Sequence, residues 1–200
     1  MKRTSGILLP LFCVPSSYGF GTMGKEAYEF VDFLHQANQA YWQVLPLGMT
    51  SFGDSPYASL SSFAGGINYI DLDLLVADGY LKEEDLKGYK RPITNICYEE
   101  LYQNRSKILE LAYRNFLQNV PDAFSIFIND NHDWLDDFCL YMAIKKTYDG
   151  SSFNTWPSGL KKRDAHTIYA FIQDHHDLIG FYQFTQYIFF NQWQQLKQAR

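Results

Sequence analysis

Gly6-Ile-Leu-Leu-Pro-Leu-Phe12 and Tyr41-Trp-Gln-Val-Leu-Pro-Leu47 are two short apolar runs, each bounded by turn residues. Between them, from Lys25 to about Asn38, Ala27, Phe30, Val31 and Leu34 recur at helical spacing. Short apolar runs of this kind read as buried strands, and a 3.6-residue period reads as a helix with one face on the core. Strand, loop, helix and strand in that order make a βαβ unit, because parallel neighbours need a long crossover. The fold class is therefore α/β, with a parallel sheet expected to be covered on both faces. Pro10 weakens the first strand, since proline brings no ladder donor.

Beyond the second strand lies a polar loop, Gly48 to Gly66, rich in Ser and Gly, and then Asn68-Tyr-Ile-Asp-Leu72, which reads as an extended piece. Helices follow. One is expected over about Tyr98–Asn119, with Leu101, Ile108, Ala112 and Phe116 on one face, and another over about Asp133–Tyr148, with Leu135, Phe138 and Met142 aligned. The pattern assigns nothing to Phe124–Asn131, and Tyr148–Asp164 reads as a loop. A last helix runs from about Asp177 to the end, striped by Leu178, Phe181, Thr185, Ile188, Phe189, Trp193 and Leu196.

Composition narrows the function. A net charge of −5 and the lack of any Lys/Arg stripe argue against nucleic acid as a partner. No stretch reaches the roughly 18 apolar residues of a membrane span. The apolar stretch Ile7–Val14, interrupted by Pro10, is too short for a signal peptide. Cys13, Cys97 and Cys139 form neither a C-x-x-C pair nor a zinc-finger pattern, so a reducing, cytoplasmic setting is expected, with no structural metal. The chain is 18% aromatic, with 16 Phe, 15 Tyr and 4 Trp. Most of these rings belong in a core, although aromatic faces also stack on the C–H faces of sugars.

Four constellations carry possible chemistry. Gly19-Phe-Gly-Thr-Met-Gly24 matches G-x-G-x-x-G and opens a helix. A dinucleotide site needs those glycines at the strand's very end and an acid after the second strand. Here Cys13–Tyr18 intervene and the second strand ends Leu45-Pro-Leu-Gly48, so glycines that merely turn a loop into a helix fit better. Asp133, Asp136 and Asp137 share one helical face but suit a solvated helix start. His175-His176 beside Asp177 point in different directions and read as surface. Thr50-Ser-Phe-Gly-Asp-Ser-Pro-Tyr57 differs, because it follows the C-terminal end of a parallel strand and gathers two hydroxyls beyond Thr50, a carboxylate and two rings. It suits a polar ligand loop with stacking rings, and equally a βα loop held by its own hydrogen bonds.

In chain order, Gly6-Ile-Leu-Leu-Pro10, Tyr18-Gly-Phe-Gly-Thr22, Tyr41-Trp-Gln-Val-Leu-Pro-Leu-Gly48, Gly53-Asp-Ser-Pro-Tyr57 and Ser61-Ser-Phe-Ala-Gly65 resemble the opening of the amylomaltases. These are 4-alpha-glucanotransferases of the alpha-amylase clan. The similarity continues through Asp133-Trp-Leu-Asp-Asp137, Asn154-Thr-Trp-Pro157 and Tyr187-Ile-Phe-Phe-Asn-Gln-Trp193, and so covers essentially the whole chain.

The resemblance implies the N-terminal portion of a (β/α)8 TIM barrel with a mainly helical insertion after the second strand. Residues 1–75 would be the first βαβ part with the substrate-side loop, 76–173 the insertion, and 174–200 a helix leading back to the barrel. It implies a retaining transfer of glucan segments between maltodextrins, with no cofactor, by an Asp nucleophile, a Glu acid/base and a second Asp. Those catalytic carboxylates are expected beyond Arg200, and none is assigned within this chain. Within it, Ser55 and Tyr57 resemble residues lining the donor-sugar subsite, Asp54 belongs to the same loop, and Phe52 stands where relatives carry an aromatic that stacks on a glucan at a second site. The chain departs from the family pattern at Ala58, where a Gln is usual, at Gly66-Ile67 in place of Asn-Pro, and at Phe153 in place of Trp. The Ala58 change bears on a sugar contact. Two alternatives stand beside this reading, a non-catalytic glucan-binding module and a nucleotide-binding oxidoreductase.

Overall fold

The computed structural model describes residues 3–50, 53–90 and 95–199. They fall into two compact units, Met1–Val120 with Ile188–Arg200, and Pro121–Tyr187.

The first unit holds the expected βαβ element. Strand β1, Gly6–Leu8, pairs in parallel with β2, Tyr41–Gln43, with Ile7 opposite Trp42. Helix α1, Lys25–Gln36, connects them and ends as Asn38 takes a left-handed turn (φ 55°). Both strands are shorter than the apolar runs. After Leu9 donates to the Gln43 carbonyl at 3.0 Å, Pro10 has no N–H to continue the ladder, and Leu11–Cys13 wind into a 3-10 turn. The pleat puts Ile7 and Trp42 half-buried on one side, where Trp42 meets Phe30 of α1 edge-on at 4.8 Å and donates its indole N–H to the Leu9 carbonyl at 2.7 Å. The alternate residues face outward, Leu8 55% and Tyr41 63% exposed. One face of this parallel pair is therefore bare, whereas parallel strands are ordinarily covered on both.

The segment expected to be extended, Asn68–Leu72, is not a strand. Ile67–Tyr69 form a 3-10 turn and Leu72–Ala77 form helix α2. The period-two pattern is outweighed by Asp71, which caps α2 by accepting from the Leu74 N–H at 3.0 Å and so turns Leu72 and Leu75 into the core. Helix α3, Tyr98–Phe116, buries the expected face of Leu101, Ile108, Ala112 and Phe116. Arg105 lies in the same stripe, buried, donating to the Asn68 carbonyl at 2.6 Å. Burial pulls its guanidinium down to about 10 against the opposing attraction of Asp71 and Tyr18. Helix α3 belongs by compactness to the sheet-bearing unit, whose first segment runs to Val120. The Arg105 bond and a 2.9 Å bond from Asn115 to the Tyr80 carbonyl explain why.

The second unit is helical. The unassigned segment forms α4, Asp122–Asp130, followed by α5, His132–Thr147, which buries Leu135, Phe138, Cys139, Leu140, Met142, Ala143 and Ile144. The expected loop after α5 contains a short helix, α6, Ser158–Lys161. Helix α7, Ala165–Asp174, is capped by Asp164, whose carboxylate accepts from the Thr167 N–H at 2.9 Å. Helix α8, His176–Gln198, begins in this unit, and its stretch from Ile188 belongs to the first. Its apolar stripe is covered: Phe181, Thr185, Ile188, Phe189 and Leu196 are buried, with Leu178 and Trp193 partly so. No helix among the described residues is long and apolar enough to cross a membrane.

Candidate functional site

The two loops that leave β1 and β2 differ in how they use their side chains. The first, Cys13–Gly24, carries the glycine motif and folds inward. Gly19 takes a left-handed turn (φ 72°), and Gly21 donates to the Phe12 carbonyl at 3.1 Å. A Cβ on Gly21 would stand 2.0 Å from the Leu11 carbonyl oxygen, so the glycine is needed for backbone to pass backbone. A Cβ on Gly24, just before α1, would stand 2.0 Å from a carboxylate oxygen of Asp71, the same oxygen that accepts from Thr22 Oγ at 2.6 Å. A carboxylate is thus held beside the glycine from which α1 starts, where a dinucleotide's pyrophosphate would have to sit and would be repelled. The glycines serve close packing.

The second loop, Gly48–Gly66, closes on itself at its base. Gly66 N–H donates to the Leu47 carbonyl at 2.7 Å, Leu60 N–H to that of Met49 at 3.2 Å, and Thr50 and Ser59 form an antiparallel bridge. Ser59 Oγ donates to the Ser61 carbonyl at 2.7 Å, and Ser61 Oγ accepts from the Phe63 and Ala64 N–H groups at 3.1 and 3.2 Å. The hydroxyls of Ser59 and Ser61 are therefore spent inside the loop, as the plainer reading of its composition expects. The tip is different. Gly53 and Asp54 both have positive φ (84° and 53°), which kinks the chain so that neighbouring side chains leave in different directions.

Asp54 turns toward α3. Its carboxylate accepts a hydrogen bond from the Tyr102 phenol, and Thr50 Oγ lies 3.4 Å from the same phenol oxygen. Tyr98 stands one turn before Tyr102, and these groups with Phe12 and Phe20 line a cavity of about 110 Å³. Desolvation first, and then Asp54, raise both tyrosines above the usual phenol range, so they remain protonated donors at neutral pH. Tyr57 leaves on the other side, 75% exposed, and borders an open groove walled by Phe63, Phe189, Phe190 and Trp193. Ser55 lies between the two, its Oγ accepting from the Tyr57 N–H at 3.3 Å, which leaves its own proton free to donate elsewhere. Phe52 lies outside the described residues.

The structure thus separates Asp54 from Tyr57 and adds two phenols that sequence reading missed. The i, i+4 spacing of Tyr98 and Tyr102 at a helix start was the available signal, but nothing local ties it to a loop 48 residues earlier. The acidic and histidine constellations are occupied elsewhere. Asp137 pairs with Arg163 at 2.6 Å, Asp133 with His132 at 3.0 Å and Asp177 with His176 at 3.2 Å, while His175 stacks on Phe171 at 4.0 Å. No group of three metal-ligating side chains occurs among the described residues.

A glycoside hydrolase family 77 model, described as 4-alpha-glucanotransferase, matches residues 9–200. The chain belongs to the 4-alpha-glucanotransferase family. It is 42% identical to the 4-alpha-glucanotransferase of Streptococcus pneumoniae, over 98% of this chain and 40% of that protein. It is 41% identical to that of Clostridium butyricum, over 92% of this chain and 38% of that one. Among solved structures, the amylomaltase from Streptococcus agalactiae in complex with acarbose aligns with 99% of this chain and 41% of its own, at 36% identity and a TM-score of 0.92. The chain spans about two fifths of the length of these 4-alpha-glucanotransferases and fits an N-terminal portion of a larger enzyme.

Proposed function

We propose that this chain supplies the donor-sugar side of an amylomaltase, an enzyme that transfers segments of alpha-1,4-glucan between maltodextrins. The observation that carries the reading is the alignment of nearly the whole chain, at a TM-score of 0.92, with an amylomaltase solved in complex with acarbose. The exposed Tyr57 ring agrees with it, since an aromatic face bordering an open groove is a platform for a sugar's C–H face. Ser55, with its hydroxyl proton uncommitted, is placed to donate to a sugar oxygen. Asp54 holds the loop tip against Tyr102, and for Phe52 the family resemblance alone suggests an aromatic that stacks on a glucan at a second site.

The architecture we propose is a (β/α)8 barrel that begins with residues 1–75, is interrupted by a helical insertion over 76–173, and resumes through the helix 174–200. A barrel of this type takes about 250 residues, and the bare face of the β1–β2 pair is a surface that further strands would cover. The same bare face favours this reading over a stand-alone glucan-binding module. The chemistry is a retaining double displacement without a cofactor. A nucleophile carboxylate and an acid/base carboxylate flank the scissile bond about 5–5.5 Å apart. Asp54 is the only carboxylate in the two βα loops and is committed to Tyr102, so these two loops do not by themselves supply the reacting pair. The three free cysteines suit a reducing cytoplasm.

The test is the protein expressed from its complete reading frame and supplied with maltotriose. Glucose and maltodextrins longer than the substrate should appear together. Hydrolysis alone, or no reaction, would overturn the reading.

A further inference from the structure

One turn of α8 holds both loops at once. Asp71 accepts from Thr22 Oγ of the first loop at 2.6 Å while capping α2. Its own peptide group is gripped from the other side: the N–H donates to Gln192 Oε1 at 2.7 Å, and the carbonyl accepts from Gln192 Nε2 at 3.1 Å. Gln192 therefore pairs with the Asp71 backbone as a neighbouring strand would. Thr22, Asp71 and Gln192 are all buried, so water offers these groups no substitute partner. One turn earlier on the same helix face, Phe189 packs against the base of the second loop, so closely that a Cβ on Gly65 would stand 2.1 Å from its ring. Phe189 is also a wall of the groove that Tyr57 borders.

Resting on the donor-groove reading above, we propose that Gln192 is a positioning residue for glucan transfer. Its amide locks the Asp71 peptide, so that the Phe189–Gln192 turn fixes both βα loops, and with them the Tyr57 wall of the groove. It acts through Asp71 and Phe189 and touches no sugar. The role needs a donor and an acceptor side by side, which the amide supplies at every pH. Methionine has similar volume and offers neither partner, and glutamate offers a donor only when its carboxyl is protonated. The ionisable groups facing the Asp71 carboxylate are Tyr18, Tyr28 and Arg105. Burial raises both tyrosines and Arg105 stands at about 10, so none of the three changes charge between pH 5.5 and 8.

Two readouts on the protein from the complete reading frame test this. In Gln192→Met, backbone amides in 19–24 and 64–72 should exchange with deuterium about tenfold faster, with wild-type protection kept over 121–187. Maltotriose should still bind, with KM within about twofold, while kcat falls about tenfold, the pattern of a substrate bound but misaligned. Gln192→Glu should match the methionine variant at pH 8 and recover toward wild type at pH 5.5, after correction for the wild-type pH profile. A general loss of packing would speed exchange everywhere and show no such recovery. If Gln192→Met does not fold, the glutamate variant at the two pH values makes the same comparison within one molecule. Unchanged exchange in both loops would overturn the lock, and faster exchange with unchanged kcat and KM would overturn the positioning role. If the wild-type protein transfers no glucan, the donor-groove reading fails, and the exchange measurement still decides whether Gln192 locks the loops.

Discussion

The first and second βα loops invert what their sequences advertise. The first carries a motif associated with phosphate binding, and its glycines are consumed in passing backbone against backbone and against the Asp71 carboxylate. The second carries no such pattern, turns the hydroxyls of Ser59 and Ser61 back on itself, and still presents an exposed aromatic ring to a groove. A glycine motif reports close approach, and only the structure says of what to what. An exposed Tyr bordering a groove walled by further rings is the more informative sign of a ligand, because a lone exposed ring is ordinary and a contiguous aromatic surface is not.

The contrast breaks most sharply at Gly21. Alanine there must fit a carbon 2.0 Å from a carbonyl oxygen that belongs to the backbone and has no rotamer to escape into. Gly21→Ala should therefore cost about 3 kcal/mol or more, seen as a large fall in melting temperature or loss of soluble protein. Wild-type stability and activity in that variant would mean the first loop is not a rigid scaffold.

Tyr57→Ala should do the opposite, leaving the melting temperature within about a degree because so exposed a ring adds little packing. By analogy with base stacking, the ring contributes about 1–3 kcal/mol to sugar binding in the transition state, or about one to two decades in kcat/KM. Unaltered kinetics in the folded variant would remove Tyr57 from the site.

A smaller effect is expected at Tyr102→Phe, which deletes the phenol that Asp54 accepts from but keeps the ring. This bond is largely exposed, so the loss should be about threefold in kcat/KM, as for a partly solvated hydrogen bond, with stability unchanged. A loss as large as that of Tyr57→Ala would mean that the Asp54 side of the loop, rather than the Tyr57 side, faces the reacting sugar. The slightest change belongs to Phe52→Ala. It should weaken use of long glucans and spare maltotriose, which need not reach that far. Equal losses on both substrates would make the ring scaffold.

Much of the fold was legible because its signals are local. The βαβ order, the parallel pairing and the buried stripes of α3 and α8 all follow from periodicity. Failures came where one residue overruled a pattern. Pro10 cut β1 short, and Asp71 converted an alternating segment into a helix start. The site was half legible. Its loop stands out by composition and by its place after a parallel strand, but the partners of that loop do not. Tyr102 meets Asp54 across 48 residues, and Gln192 meets Asp71 across 121. Such pairings depend on how the chain folds back on itself, which no spacing rule records.

We propose that these 200 residues hold a donor-side platform without the reacting carboxylates. Maltotriose incubated in parallel with the 200-residue chain and with the protein from the complete reading frame tests it directly, followed by chromatography of the maltodextrins formed. Glucose and longer chains are expected from the complete protein, and unchanged maltotriose from the 200 residues. Transfer products from the 200-residue chain alone, or none from the complete protein, would contradict it.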